Sequence, residues 1–368
     1  MTARGVRREL IGLLAVLALV LIAYREVAFG GKTFDTSALT IGVNGYDAAT
    51  APKVNAFRVD PGASAWQMTP WARVTHREIA QGRLPLWNPY EGTGAPLAGN
   101  LQSAVFDPLS TAVNLHPTIL TSDLTFLVAF LLAGLAMYLF LRNLGFSLLS
   151  SIAGAGAFVL SGYFATDSNL SFARLYLYLP VLFLLVDKVV TSGKARWVGL
   201  LGIAVAGTIL GGMPEVTFCV LVATAIYALY RLLGSVADGR EEASGVVVGR
   251  AGSRPAVAIR FGVGVIFGLL LTAPLLILFV GYLPLSLNQH GPGAGMGAAS
   301  RATLLNWLIP FVNGYPAALR VPRFGPDRSW IGAAGGVLLV AACAAPTPMR
   351  RRARGAGSRW SPRSSPSA

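Results

Sequence analysis

Two carboxylates lie where chemistry at a membrane surface would need them. Asp60 sits in Val59-Asp60-Pro61-Gly62, and Glu215 in Gly211-Gly212-Met213-Pro214-Glu215. A carboxylate held over a bilayer surface can deprotonate a hydroxyl acceptor, or hold a divalent cation beside a lipid phosphate. Arginines accompany these acids: Arg73, Arg77 and Arg83 cluster upstream of Pro85, and Arg174 closely follows Asp167. Guanidinium groups grip phosphate or pyrophosphate through a bidentate fork. Each residue also has a plainer reading. Asp60 can cap turn amides, Glu215 can complement the dipole of a helix begun at Pro214, and outer arginines can snorkel to headgroups. Other chemistries lack their residues. His76, His116 and His290 are isolated, and no CxxC or HExxH spacing occurs. Cys219 and Cys343 lie inside apolar runs, where cysteine reads most simply as a small buried hydrophobe.

Composition dictates the elements that must hold these groups. Of the 368 residues, 54% are hydrophobic and only 12% charged, against about 25% charged in a soluble domain. So little charge cannot cover a water-facing surface, and the apolar excess is expected to face lipid. The net charge of +14 is dispersed through short connectors between apolar runs. Membrane lipids are therefore the expected partners of those basic residues, and no nucleic acid is expected. Runs long enough to cross about 30 Å of hydrocarbon occupy 9–28, 122–141, 147–166, 173–191, 197–212, 214–233, 260–281 and 329–346. The expected fold class is an all-α integral membrane protein: a polytopic bundle of about eight transmembrane helices with a long first outer loop. Residues 1–346 form the bundle, including the outer loop 29–121, and 347–368 form a basic disordered cytoplasmic tail. The run 197–212 is the weakest. It is short and ends in Gly211-Gly212, as a tilted span or one broken within the protein would. Arg4, Arg7 and Arg8 before Leu10–Ala23 resemble the start of a signal peptide, but no small-x-small cleavage site follows, so a retained first helix is expected.

Basic residues set the orientation. With the N-terminus cytoplasmic, the short inner segments hold 18 of the 30 Lys and Arg, whereas eleven of the 16 Asp and Glu fall outside. The Lys/Arg bias governs topology, so both termini are expected in the cytoplasm. Residues 29–121 and 282–328 then face outward, together with Asp60 and Glu215. The long loop carries Trp66, Trp71 and Trp87 and the string Leu84-Pro85-Leu86-Trp87-Asn88-Pro89-Tyr90. Its aromatic content argues against disorder, and Trp71–Gln81 is expected to form a short helix stopped by Gly82. The 235–258 segment reads as a flexible cytoplasmic connector.

Residues 70–109, PWARVTHREIAQGRLPLWNPYEGTGAPLAGNLQSAVFDPL, resemble the first outer loop of the YfhO-type bacterial membrane proteins. That loop has Pro-Trp, then Gly-x-x-Pro-Leu-Trp-Asn-Pro-Tyr, Gly-x-Pro-Leu, Asn-x-Gln-Ser and a closing Pro. The later GGMPEVTF resembles the family's Gly-His-Pro-Glu turn, with Met213 where the His stands, so no role for that imidazole carries over. NWLIPFVNGYP and SWIGAAGGVLL also fit, and the resemblance spans most of residues 1–346. Typical members are longer and continue with further spans. The abrupt change of composition after Ala345 is what a truncated or inactive product would show.

The resemblance implies a bacterial cell membrane protein with a C-type glycosyltransferase-like fold. Its activity would be inverting transfer of a sugar from a polyprenyl-phosphate donor to a cell-envelope glycan or lipid acceptor outside the membrane. Asp60 matches the family's first-loop catalytic carboxylate. Asp35, Asp47 and Asp107 compete for that role, although Asp107, just before Pro108, looks most like a turn residue. The expected substrate-binding residues are Glu215, Arg73, Trp87, Asn88, Gln102 and Arg174, with the Trp87 region shaping a sugar pocket and an outer arginine holding the phosphate. The cofactor is unspecified, and a divalent cation is compatible. Two other readings stay open: a transporter or flippase of a lipid-linked precursor, and a non-catalytic assembly subunit. The first predicts midplane charges and repeat symmetry, neither of which is evident in the chain.

Overall fold

A computed structural model describes residues 3–36, 63–162, 164, 170–234 and 252–286. Asp47, Asp60, Asp167, the expected span 329–346 and the tail lie outside the described residues, as does most of the 235–258 connector. The chain is all-α in character. Its helices are α1 (Ala3–Ala23), α2 (Arg25–Ala28), α3 (Thr69–Ala80), α4 (Thr111–Leu115), α5 (Ile119–Asn143), α6 (Leu148–Val159), α7 (Tyr178–Ser192), α8 (Ala195–Leu210), α9 (Pro214–Gly234) and α10 (Arg254–Tyr282). Among the described residues the only strands are β1 (Trp87–Asn88) and β2 (Ala95–Pro96), an antiparallel pair with Trp87 opposite Pro96.

Among the described residues, four stretches are long and apolar enough to cross a membrane: Ile119–Asn143, Ala173–Ser192, Pro214–Leu233 and Arg254–Leu285. The second joins the end of the 3-10 turn Ser171–Leu177 to α7. Helices α6 and α8 are apolar but shorter, with 12 and 16 residues. Several bounds differ from expectation for local reasons. The first run breaks at Tyr24 between α1 and α2, and within the run 147–166 helix α6 ends at Val159. The run expected from residue 260 begins at Arg254, because Ser253 accepts a hydrogen bond from the Ala256 amide and a proline occupies the first turn. Gly193, at φ +60°, ends α7 in the left-handed conformation.

The helices share two ends. At one, Arg142 pairs with Glu9 at 2.6 Å, Arg231 with Asp187 at 2.7 Å, and Asn143 donates to Asp187 at 2.9 Å. At the other, Asp123 accepts from the Thr33 hydroxyl and the Phe34 amide, both at 2.9 Å. Arg174 meets Asp107 at this second end, and residues 63–118 form a cap over it. Just beneath this second end, Tyr24, Phe34, Phe126, Phe130 and Phe164 pack ring against ring at 5.0–5.8 Å, mostly edge to face. Helices α8 and α10 meet backbone to backbone: a Cβ on Gly202 would lie 2.8 Å from the Gly264 carbonyl, and one on Gly268 2.6 Å from the Gly202 carbonyl.

Candidate functional site

The cap positions the chemistry. A π-helical turn over Ala63–Met68 feeds α3, which ends at Gln81 before Gly82 at φ +70°, close to the bounds read from the sequence. Trp71 is buried in the face of α3 that packs on Leu97, Leu101 and Leu275. Its indole N–H donates to Glu91 Oε2 at 3.3 Å, and Asn88 Nδ2 donates to the same oxygen at 3.2 Å. Residues 97–107 then cross the bundle end through two left-handed non-glycine residues, Leu101 (φ 57°) and Ala104 (φ 48°). Such conformations cost about 1–3 kcal/mol each and persist only where the surroundings hold them. Burial of Leu101 and Ala104, at 5% and 4% exposure, supplies that hold. Gln102 and Ser103 lie between them.

Two cavities open under this cap. The first, of about 330 Å³, is lined by Asp35, Arg73, Gln102, Asn114 and Arg174, by Trp71 and Phe126, and by hydroxyls that include Ser64, Thr69, Ser122, Thr125 and Ser171. Arg174 is only 6% exposed. Its Nε donates to the Ser171 carbonyl at 3.0 Å, its Nη1 lies 3.6 Å from Asp107 Oδ2, and its guanidinium stands 5.5 Å from the centre of the Phe126 ring. A buried guanidinium needs a counter-charge, and Asp107 provides it. Asp107 is itself committed, accepting from the Leu109 amide at 3.2 Å and the Ser110 hydroxyl at 2.9 Å. It is the turn residue its sequence suggested, with an ion pair added. The wall therefore carries two guanidinium groups, one carboxylate at Asp35, many hydroxyls and two aromatic faces. That set suits a ligand bearing both anionic oxygens and a polyol.

The second cavity, of about 720 Å³, is lined by Gln67, Trp71, Glu91, Asn100, Gln102, Glu215 and Tyr282, among others. Trp71 and Gln102 border both cavities. Gln102 Nε2 approaches Met213 Sδ at 3.6 Å, which ties the loop to the Gly211–Glu215 turn. The turn fits closely, since a Cβ at Gly212 (φ +94°) would meet the Leu101 carbonyl at 2.4 Å. Glu215 thus shares a cavity with first-loop residues, while Arg73 and Arg174 belong to the neighbouring one. Among the described residues no group of three or more His, Cys, Asp or Glu could hold a metal ion.

The fold brings Arg73, Gln102, Arg174 and Glu215 to these cavities and leaves Trp87 and Asn88 out of both linings. Trp87 is 52% exposed and lies against Gly94. Asn88 is buried and builds the hairpin, accepting from the Tyr90 amide while donating to Glu91. The loop tryptophan at the cavities is Trp71. Of the remaining loop arginines, Arg77 is hydrogen-bonded to the Tyr90 hydroxyl, and Arg83 forms a forked pair with Glu78 at 2.7 and 2.8 Å. The Arg83 guanidinium holds the Glu78 carboxyl below the usual carboxylate range. Cys219 corrects an expectation: it is exposed, on the α9 face that borders the second cavity, rather than buried. Sequence reasoning missed Asp123, which fixes residues 33–34 and so the approach to Asp35. An acid beside an apolar run was the available signal.

No known protein family, curated protein or solved structure matches the chain.

Proposed function

We propose that the chain is a multi-pass protein of the bacterial cell membrane with about eight spans and both termini cytoplasmic. In this reading it moves a sugar from a polyprenyl-phosphate donor to a cell-envelope glycan or lipid acceptor at the outer face. The first cavity carries the proposal: two arginines, a hydroxyl-rich wall and the Trp71 and Phe126 rings meet at the end of apolar helices. Apolar helices suit the polyprenyl tail, guanidinium groups the phosphate, and hydroxyls and aromatic faces the sugar.

The chemistry balances within that arrangement. The acceptor oxygen bonds to the anomeric carbon as the bond from that carbon to the phosphate oxygen breaks, and the leaving phosphate takes the electron pair beside Arg174 and Arg73. Asp60 removes the acceptor's proton. Asp35 is the alternative base, because it lines the cavity. Glu215 and Gln102 orient the acceptor from the adjoining space. The test is transfer of labelled sugar from polyprenyl-phosphate donors by the purified protein in lipid nanodiscs. Label should pass to acceptor with the parent chain and fall sharply with Arg174→Gln. Donor binding without any transfer would favour a flippase or an assembly subunit instead. A chelator arm reads whether a divalent cation takes part.

A further inference from the structure

We infer that the groove between α8 and α10, at the end of the bundle opposite the cap, binds one anionic diacyl phospholipid of the inner leaflet. This inference rests on the membrane reading above and not on sugar transfer. The groove has a volume of about 420 Å³ and is lined by Ala195, Val198, Gly199, Arg260, Val263 and Phe267, among others. It opens beside the tight backbone contact of Gly202 with Gly264 and Gly268. That contact holds the two helices together, so the groove is a fixed feature of their packing. A Cβ placed on Gly199 would meet nothing within 4 Å.

Charge identifies the occupant. The groove is apolar except for Arg260 at its wall. Lys194, Arg196 and Arg254 lie at the starts of the same two helices. Helix α8 starts at Ala195 with no side-chain cap from Lys194. Its first amides therefore add partial positive charge at the mouth. A phosphodiester can accept from Arg260 and from those amides while an acyl chain lies along Gly199, Val263 and Phe267. Basic pockets between helices on the cytoplasmic side are suited to anionic headgroups. A zwitterionic lipid brings the same tails without net negative charge, so the arrangement discriminates by headgroup.

The test is native mass spectrometry of the delipidated full chain, titrated with phosphatidylglycerol, phosphatidylcholine or inorganic phosphate. The expected result is one retained phosphatidylglycerol, bound at least tenfold more tightly than phosphatidylcholine and undisplaced by inorganic phosphate. Gly199→Leu, which fills open space, should reduce that binding several-fold with an unchanged melting temperature in lipid-free detergent. Arg260→Gln should erase the preference between the two lipids. Undiminished phosphatidylglycerol binding by folded Gly199→Leu, or equal binding of both lipids by the parent, would overturn the proposal. So would a photo-cross-linking residue at position 199 that captures 235–251 of the chain itself in native membranes rather than lipid. Absence of sugar transfer leaves these readouts untouched, and cysteine labelling tests the membrane orientation separately.

Discussion

A guanidinium–carboxylate pair stands at each end of the bundle, and the two are built to different standards. Arg231 meets Asp187 at 2.7 Å, and the same carboxylate accepts from Tyr227 at 3.0 Å and Asn143 at 2.9 Å. Phe140, Phe183 and Tyr227 pack ring to ring beside it at 4.5–5.7 Å. Arg174 stands 3.6 Å from Asp107, whose oxygens are already engaged by the Leu109 amide and Ser110 hydroxyl, and its side chain lines a cavity. Burial of charge is thus a poor marker of function by itself. The Asp187 carboxylate, with three partners, joins α5, α7 and α9, whereas the more loosely paired Arg174 lines a cavity.

The largest expected effect is at the base proposed for sugar transfer. Asp60→Asn removes a proton acceptor while keeping size, and general bases contribute about 10²–10⁴-fold. Turnover should fall by that order with donor affinity nearly intact, as read on matched monodisperse samples. Near-parent turnover together with a dead Asp35→Asn would move the role to Asp35.

At the end opposite the cap, Asp187→Ala strands Arg231 without its partner, a change that costs about 3–5 kcal/mol where a pair is fully buried and less here, because the Arg231 side chain is 20% exposed. Unfolding in detergent should show that loss, with Asp187→Asn milder. A loss as large from Asp107→Asn would erase the distinction between the two pairs. Arg174→Gln should differ in kind: a smaller loss of stability, since Asp107 keeps its hydrogen bonds from Leu109 and Ser110, beside roughly a tenfold or greater loss of donor affinity, the scale of one charge-assisted hydrogen bond.

The smallest effect belongs to the exposed Arg83–Glu78 pair. Its carboxyl titrates below the ordinary range when folded, so its contribution is present above the unfolded value and disappears as pH falls through the folded one. Glu78→Gln should therefore lower the melting temperature slightly at pH 7 and progressively less as the pH falls below the unfolded value, and 0.5 M salt should abolish the difference.

Hydrophobic run length carried most of the fold into view, and glycine and proline carried the ends of α3, α8 and α9. Facing was harder to read. Trp71 and Trp87 share one loop and one residue type, yet only Trp71 reaches the cavities, because Gly94 leaves room for the Trp87 indole outside while Glu91 holds the Trp71 indole inside. Cys219 shows a second limit. Within a bilayer an apolar residue gains as much from lipid as from protein, so an apolar run does not reveal which face is packed. Asp123 shows a third: its partners Thr33 and Phe34 lie about ninety residues earlier in the chain, beyond the reach of any local pattern.

The brevity of α8 has a kinetic consequence. Sixteen residues rise about 24 Å, short of the roughly 30 Å of hydrocarbon, and the chain then turns at Gly211–Gly212 directly against the Leu101 carbonyl of the cap. With the cap facing outward, as proposed above, its floor would lie below the level of the outer headgroups. A lipid-borne donor would reach it by lateral diffusion, so reaction velocity should follow the donor's mole fraction in the bilayer and fall when neutral lipid is added at constant bulk concentration. Water-soluble donors with truncated tails should saturate the enzyme poorly, whatever the chemistry of their sugar.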